Sequence, residues 1–159
     1  MKKMLISLIK RYWYLRKLDT IVFPGEPIPI KIVWKGRKPA GYWNVQRRKS
    51  TKEWYEVSII AIPSHEFEIT VHEVRHRVQV HNPGMKLFTK EKLLEIQRKN
   101  PQQNTQELIE HLEAVEKKYQ KLLPEIEEDA IIAAKLIAQK CQGVHDPIKV
   151  ASQWIKKTP

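Results

Sequence analysis

Apolar side chains follow two periods along this chain, and the switches between them mark out its elements. Over residues 1–18, Leu5, Ile9, Tyr12 and Leu15 or Trp13 share one side, with Lys and Arg elsewhere. A spacing near 3.6 predicts an amphipathic helix. Pro24, Gly25, Pro27 and Pro29 forbid regular helix between residues 19 and 29. From residue 28 the period shortens to two: Ile28, Ile30, Ile32 and Trp34 alternate with other residues, which predicts a half-buried strand. Two further strands are predicted over 41–46 and 53–62, after a turn at 35–39 and a charged loop at 47–52. The third strand ends in Ile59-Ile60-Ala61-Ile62, and Pro63-Ser64 breaks it.

The helical period returns at residues 66–81, where Ile69, Val71, Val74, Val78 and Val80 interleave with polar residues. Asn82-Pro83-Gly84 stops that helix. Shorter helical patterns follow: 90–99 capped by Thr89, one from Thr105 towards Leu123, and one from Pro124 to about Gln142 before Gly143. A last one runs from Asp146 or Pro147 to Lys157. This order predicts an α+β fold in one domain spanning 1–159. It comprises a basic N-terminal helix (1–18), a small, mainly antiparallel three-stranded sheet (28–62), a central helix (66–81) and C-terminal helices, with 105–142 as their main part.

The central helix carries His72-Glu73-Val74-Arg75-His76. Two His four residues apart stack on one helical face, one turn apart, where two neutral imidazoles form two legs of a tetrahedral zinc site. Glu73 then points beside the metal and is placed to take a proton from water. A third protein ligand is required, and the distal acids supply candidates. On a helical wheel from Ile126, Glu127 falls in the apolar arc of Ala130, Ile131, Ala134, Ile137 and Ala138, whereas Glu128 falls opposite with Lys135 and Gln139. A carboxylate on a buried, small-residue face demands a partner or a metal, so Glu127 is the expected third ligand. Its alternative partner is a basic side chain such as Arg75. Glu128 and His81 are the rival ligands; on a continuous helix His81 points away from His72. His65, His111 and His145 are expected at the surface or behind the site, with Tyr119, His111 and His145 open as oxyanion stabilisers.

The segment Ile69-Thr70-Val71-His72-Glu73-Val74-Arg75-His76, followed by Glu127-Glu128-Asp129-Ala130, resembles the gluzin branch of the zincin metallopeptidases. Within it the chain is most similar to small domains of the ImmA/IrrE type. It departs from that pattern in Arg75, where Gly is usual, in Ile131, where Asn or Asp is usual, and in the long stretch between His76 and Glu127. The resemblance implies a zincin-like fold and a zinc cofactor on His72, His76 and Glu127. It also implies Glu73 as catalytic base and a peptide or protein substrate. The strand before the motif helix, 53–62, is the expected edge for an extended peptide to join.

Composition narrows the setting. Cys141 is the single cysteine, which excludes an internal disulfide and a Cys-rich zinc knuckle. No run approaches the roughly 20 apolar residues of a membrane span, and the apolar stretch after Met1-Lys2-Lys3 is too short for a signal peptide; a cytoplasmic protein is expected. The net charge of +11 is uneven, with fourteen Lys/Arg against four Asp/Glu in residues 1–60 and fifteen against fourteen thereafter. With Trp13, Tyr14, Trp34, Tyr42, Trp43, Trp54 and Tyr55 interleaved, the basic half also fits a nucleic-acid surface, or simply a solvated face. A zincin that has lost activity and serves as an interaction module is the third function class.

Overall fold

A computed structural model describes the backbone of residues 2–33, 41–47, 54–61 and 66–157, and the side chains of 5, 6, 9, 10, 12–30 and 67–157. The turn expected at 35–39, most of the loop at 47–52, the break at 63–64, and residues Trp34 and His65 lie outside the described residues. The side chains of Tyr42, Trp43, Trp54 and Tyr55 do so too. The elements are α1 (Lys2–Val22), β1 (Ile30–Val33), β2 (Gly41–Arg47), β3 (Trp54–Ala61), α2 (Glu66–His81), α3 (Lys90–Lys99), α4 (Gln103–Tyr119), α5 (Glu125–Lys140) and α6 (Pro147–Trp154).

α2 is the axis of the core. Val71, Val74 and Val78, spaced along one face, pack with Leu15, Leu18 and Val22 of α1 and with Ala133, Ala134 and Ile137 of α5. Ile148 and Ala151 of α6 and Ile155 just beyond it close the same cluster. A second cluster, Phe88, Leu93, Leu108, Ile109, Leu112 and Ile132, joins α3 and α4 to the other side of α5. Two buried ion pairs fix the helices around α2. Arg77 donates to both carboxylate oxygens of Asp19 on α1, at 2.7 and 2.8 Å. Arg75 grips Asp129 on α5 through Nε and Nη2, at 2.7 and 2.8 Å. Its Nη1 donates to the carbonyls of Ile155 and Lys157, tying down the C-terminal end of α6. Removing one member of such a buried pair strands a charge and costs about 3–5 kcal/mol.

The expected α+β class, with a mainly antiparallel sheet as a layer, is corrected by this packing. Among the residues whose side chains are described, every buried one lies on one of the six helices or in a connector, so the described core is all-helical. Of the strand side chains only Ile30 is described, half-buried against the helical core. The three short strands form a mixed patch in the order β1-β3-β2, β1 running parallel to β3 and β2 antiparallel to it. Apolar alternation specifies which face a strand buries and carries no information about the direction of its neighbour, which is why the sequence misleads here. β3 takes a neighbour on each side, so the edge expected for peptide addition is already occupied.

Other boundaries shift for local reasons. α1 runs four residues past Leu18, because Asp19 is buried against Arg77 and the chain turns only at Pro24. Thr89 caps α3 as its position suggests, its side chain accepting from the Lys92 amide. Thr105 caps nothing: α4 begins at Gln103 and ends where Gln120 adopts a left-handed backbone, φ 52°. Among the described residues no helix is long and apolar enough to cross a membrane.

Candidate metal centre

α2 and α5 run antiparallel: Glu68 meets Lys135 at one end of the seam (3.2 Å), and Gln79 meets the Ile126 carbonyl at the other (2.9 Å). Between these ends the seam brings His72, His76 and Glu127 together. The Nε2 atoms of the two imidazoles stand 3.0 Å apart. Glu127 places one carboxylate oxygen 3.0 Å from His76 Nε2 and the other 3.5 Å from His72 Nε2. Three donor atoms from two helices therefore converge on one point. Their side chains are 22%, 12% and 37% exposed for His72, His76 and Glu127, so the point is reachable from solvent.

The donor set fits a divalent ion. Tetrahedral zinc with ligands about 2.0–2.2 Å away requires donor–donor edges of about 3.3–3.6 Å. Here the imidazole nitrogens stand 3.0 Å apart, each with a different Glu127 oxygen at 3.0 or 3.5 Å, and one ligand atom from each residue lies within 4.8 Å of the others. The proton count points the same way. Gln79 Nε2 donates to Asp129 (2.7 Å) and to the Ile126 carbonyl, neither of which can donate in return. Its Oε1 therefore faces His76 Nδ1 at 2.9 Å and accepts that N–H, which leaves His76 Nε2 as the lone-pair nitrogen of the neutral ring. Two imidazole nitrogens and a carboxylate aimed at one another have more lone pairs than protons. Without a metal the centre takes up protons instead. Burial is the largest single influence and pushes the His76 imidazole down, but the hydrogen bond and charge of Glu127, the Gln79 hydrogen bond and the Glu73 charge together outweigh it and raise the imidazole above its ordinary value. Hydrogen bonds from His72 and then His76 hold the Glu127 carboxyl well below the usual carboxylate range, against burial.

The remaining expected residues divide clearly. Glu73, buried on α2, lies close enough to His76 for its charge to favour the imidazolium. Glu128, assigned by the wheel to the solvated arc, is in fact buried and accepts from the Lys90 amide at 3.0 Å, at the start of α3. The wheel considers α5 alone, and α3 covers the side it leaves to water. Arg75 pairs with Asp129, not with Glu127. His81 is exposed, its ring 5.0 Å from Phe23 and outside the centre. His145 is also exposed, as is Tyr119 at the end of α4. His111 stands near Lys135 and Glu68, the latter one helical turn before His72 on α2, and burial together with the Lys135 charge lowers its pKa. Gln79 and Asp129 are the residues sequence reasoning missed. The available signal for Gln79 was its position three residues after His76, on the same helical face.

Comparison with protein-family models, with curated proteins and with solved structures gives no match to this chain.

Proposed function

We propose that this protein is a zinc-dependent peptide hydrolase of the gluzin type. The observation that carries the reading is the convergence of His72, His76 and Glu127, from two helices, with one ligand atom of each within 4.8 Å of the others. The likeness of residues 69–76 to the zincin motif supports it. Zinc on these three ligands would supply a Lewis acid beside the scissile carbonyl and bring the pKa of water there to about 7.

The chain's own groups do the rest. Glu73, next in sequence to His72, accepts the proton of the attacking water and passes it to the leaving amine. Gln79 holds His76 by its Nδ1 hydrogen, so that Nε2 keeps its lone pair towards the centre. Asp129 and the Ile126 carbonyl hold Gln79 in turn. With β3 paired on both sides, an extended peptide joins the sheet at the outer edge of β2, the strand that runs beside α2.

The test is zinc analysis of protein purified without a His tag, followed by peptide cleavage by wild type and Glu73→Gln. About one zinc per chain, with cleavage abolished and zinc retained in the variant, is the expected result. Zinc without cleavage by either protein would mark a silent metal centre. Absence of zinc would leave a basic binding protein in its place.

A further inference from the structure

α1 presents a second surface, independent of the metal centre. Among the described side chains of its inner face, Leu15, Leu18 and Val22 enter the core and Asp19 pairs with Arg77. On the outer face Leu5, Ile6, Ile9, Trp13 and Ile21 are 48–59% exposed. At 100° per residue these five fill one continuous arc, and among the described side chains Lys10, Arg16 and Lys17 fall within the same arc. α1 holds six Lys/Arg and one carboxylate, and that carboxylate, Asp19, is buried on the inner face. A groove of about 350 Å³, lined by Ile9, Lys10, Trp13, Lys17 and Pro147, runs between α1 and the start of α6. A second groove of about 330 Å³, with Arg16, Thr20 and Ile21, continues it along the helix. Asp146 lines both grooves, but its carboxylate is engaged in capping α6, accepting from the Lys149 amide at 3.2 Å.

We infer that the outer face of α1 docks on an anionic lipid surface, its aliphatic and Trp side chains entering the acyl boundary while Lys10 and Lys17 meet headgroup phosphates. An apolar arc carrying only cations suits that partner, since Lys stems lie along apolar surface and lift their charge to the interface. A second copy of this chain would set like charges against each other. Nucleic acid would leave Leu5, Ile6 and Ile9 without a use, because aliphatic side chains neither stack on bases nor bind phosphate.

The test is co-sedimentation of the full chain with phosphatidylcholine vesicles and with mixed phosphatidylcholine–phosphatidylserine vesicles. Binding should be at least about ten-fold stronger to the mixed vesicles and weaken with salt. The double variant Lys10→Glu/Lys17→Glu should lose it by about 30-fold or more. Ile9→Ser/Trp13→Ser should lose it by about ten-fold or more with every charge retained. All four side chains lie outside the buried core, so circular dichroism melts of the variants should match wild type. Should a melt shift, Lys10→Gln/Lys17→Gln gives the same reading with a milder change. Equal or absent binding to the two vesicle types would overturn the inference. So would an unchanged partition of the Ile9/Trp13 variant, dimerisation that buries the stripe, or binding to nucleic acid in place of vesicles.

Discussion

Two polar clusters sit side by side on the seam between α2 and α5, both touched by Gln79, and they are built differently. Around Arg75 and Asp129 four of the five guanidinium N–H groups and both carboxylate oxygens are engaged. The guanidinium makes four hydrogen bonds, the Asp129 carboxylate accepts from Arg75, Gln79 and the Phe88 amide, and both side chains are 0% exposed. Burial pushes the Asp129 carboxyl up, yet Arg75 and the Phe88 amide outweigh it and hold its pKa below the ordinary value. Around His72, His76 and Glu127 the accounting stays open, with lone pairs in excess of protons and a path to solvent. A closed network holds a fold together; an open one is an invitation to a cation. Gln79 touches both clusters and transmits the rigidity of the first to the geometry of the second.

The contrast breaks most visibly at Asp129. Asp129→Ala strands the Arg75 charge in the core and should cost about 3–5 kcal/mol in urea unfolding. A loss under 1 kcal/mol would mean that the cluster is not the clamp described. In the open cluster, Glu127→Ala should abolish stoichiometric zinc while leaving the metal-free fold nearly as stable as wild type, since the residue is partly exposed. Next in size, Glu73→Gln should lower kcat for peptide cleavage by about 10²–10⁴-fold with zinc retained. Gln79→Leu, which cuts the link between the clusters, should weaken zinc binding by about 10–100-fold and move stability far less than Asp129→Ala. The smallest effect is in the pH profile. His76 titrates above its ordinary 6.5 and Glu127 below 4.5 in the metal-free protein. Their pair therefore stabilises fully between those ordinary values; it is lost as pH rises through the raised His76 pKa, or falls through the depressed Glu127 pKa. Zinc reverses the upper limb, because its ligands must shed their protons, so the Tm gain on adding zinc should grow as pH rises from 6 to 8.

The parts of this molecule legible in the sequence are those whose cause is local. The i, i+4 spacing of His72 and His76, the valine stripe beside them, and the cap at Thr89 depend on residues within a turn or two. Glu127 is an intermediate case, since a wheel gives its direction along α5 but not what lies opposite. The same wheel put Glu128 in water because nothing in α5 announces that α3 begins against it. Arg75 and Asp129 are 54 residues apart, and pairing at that separation has no sequence period to reveal it. The expected, mainly antiparallel sheet layer fails for a related reason: that β3 inserts between β1 and β2, with β1 parallel to it, is a tertiary event that strand alternation does not carry.

The most direct test of the open cluster is anomalous diffraction at the zinc edge from crystals of the untagged full chain. A single peak about 2.0–2.2 Å from His72 Nε2, His76 Nε2 and a Glu127 oxygen is the result this account predicts. A peak elsewhere, or rings turned apart with water alone between them in zinc-soaked crystals, would contradict it.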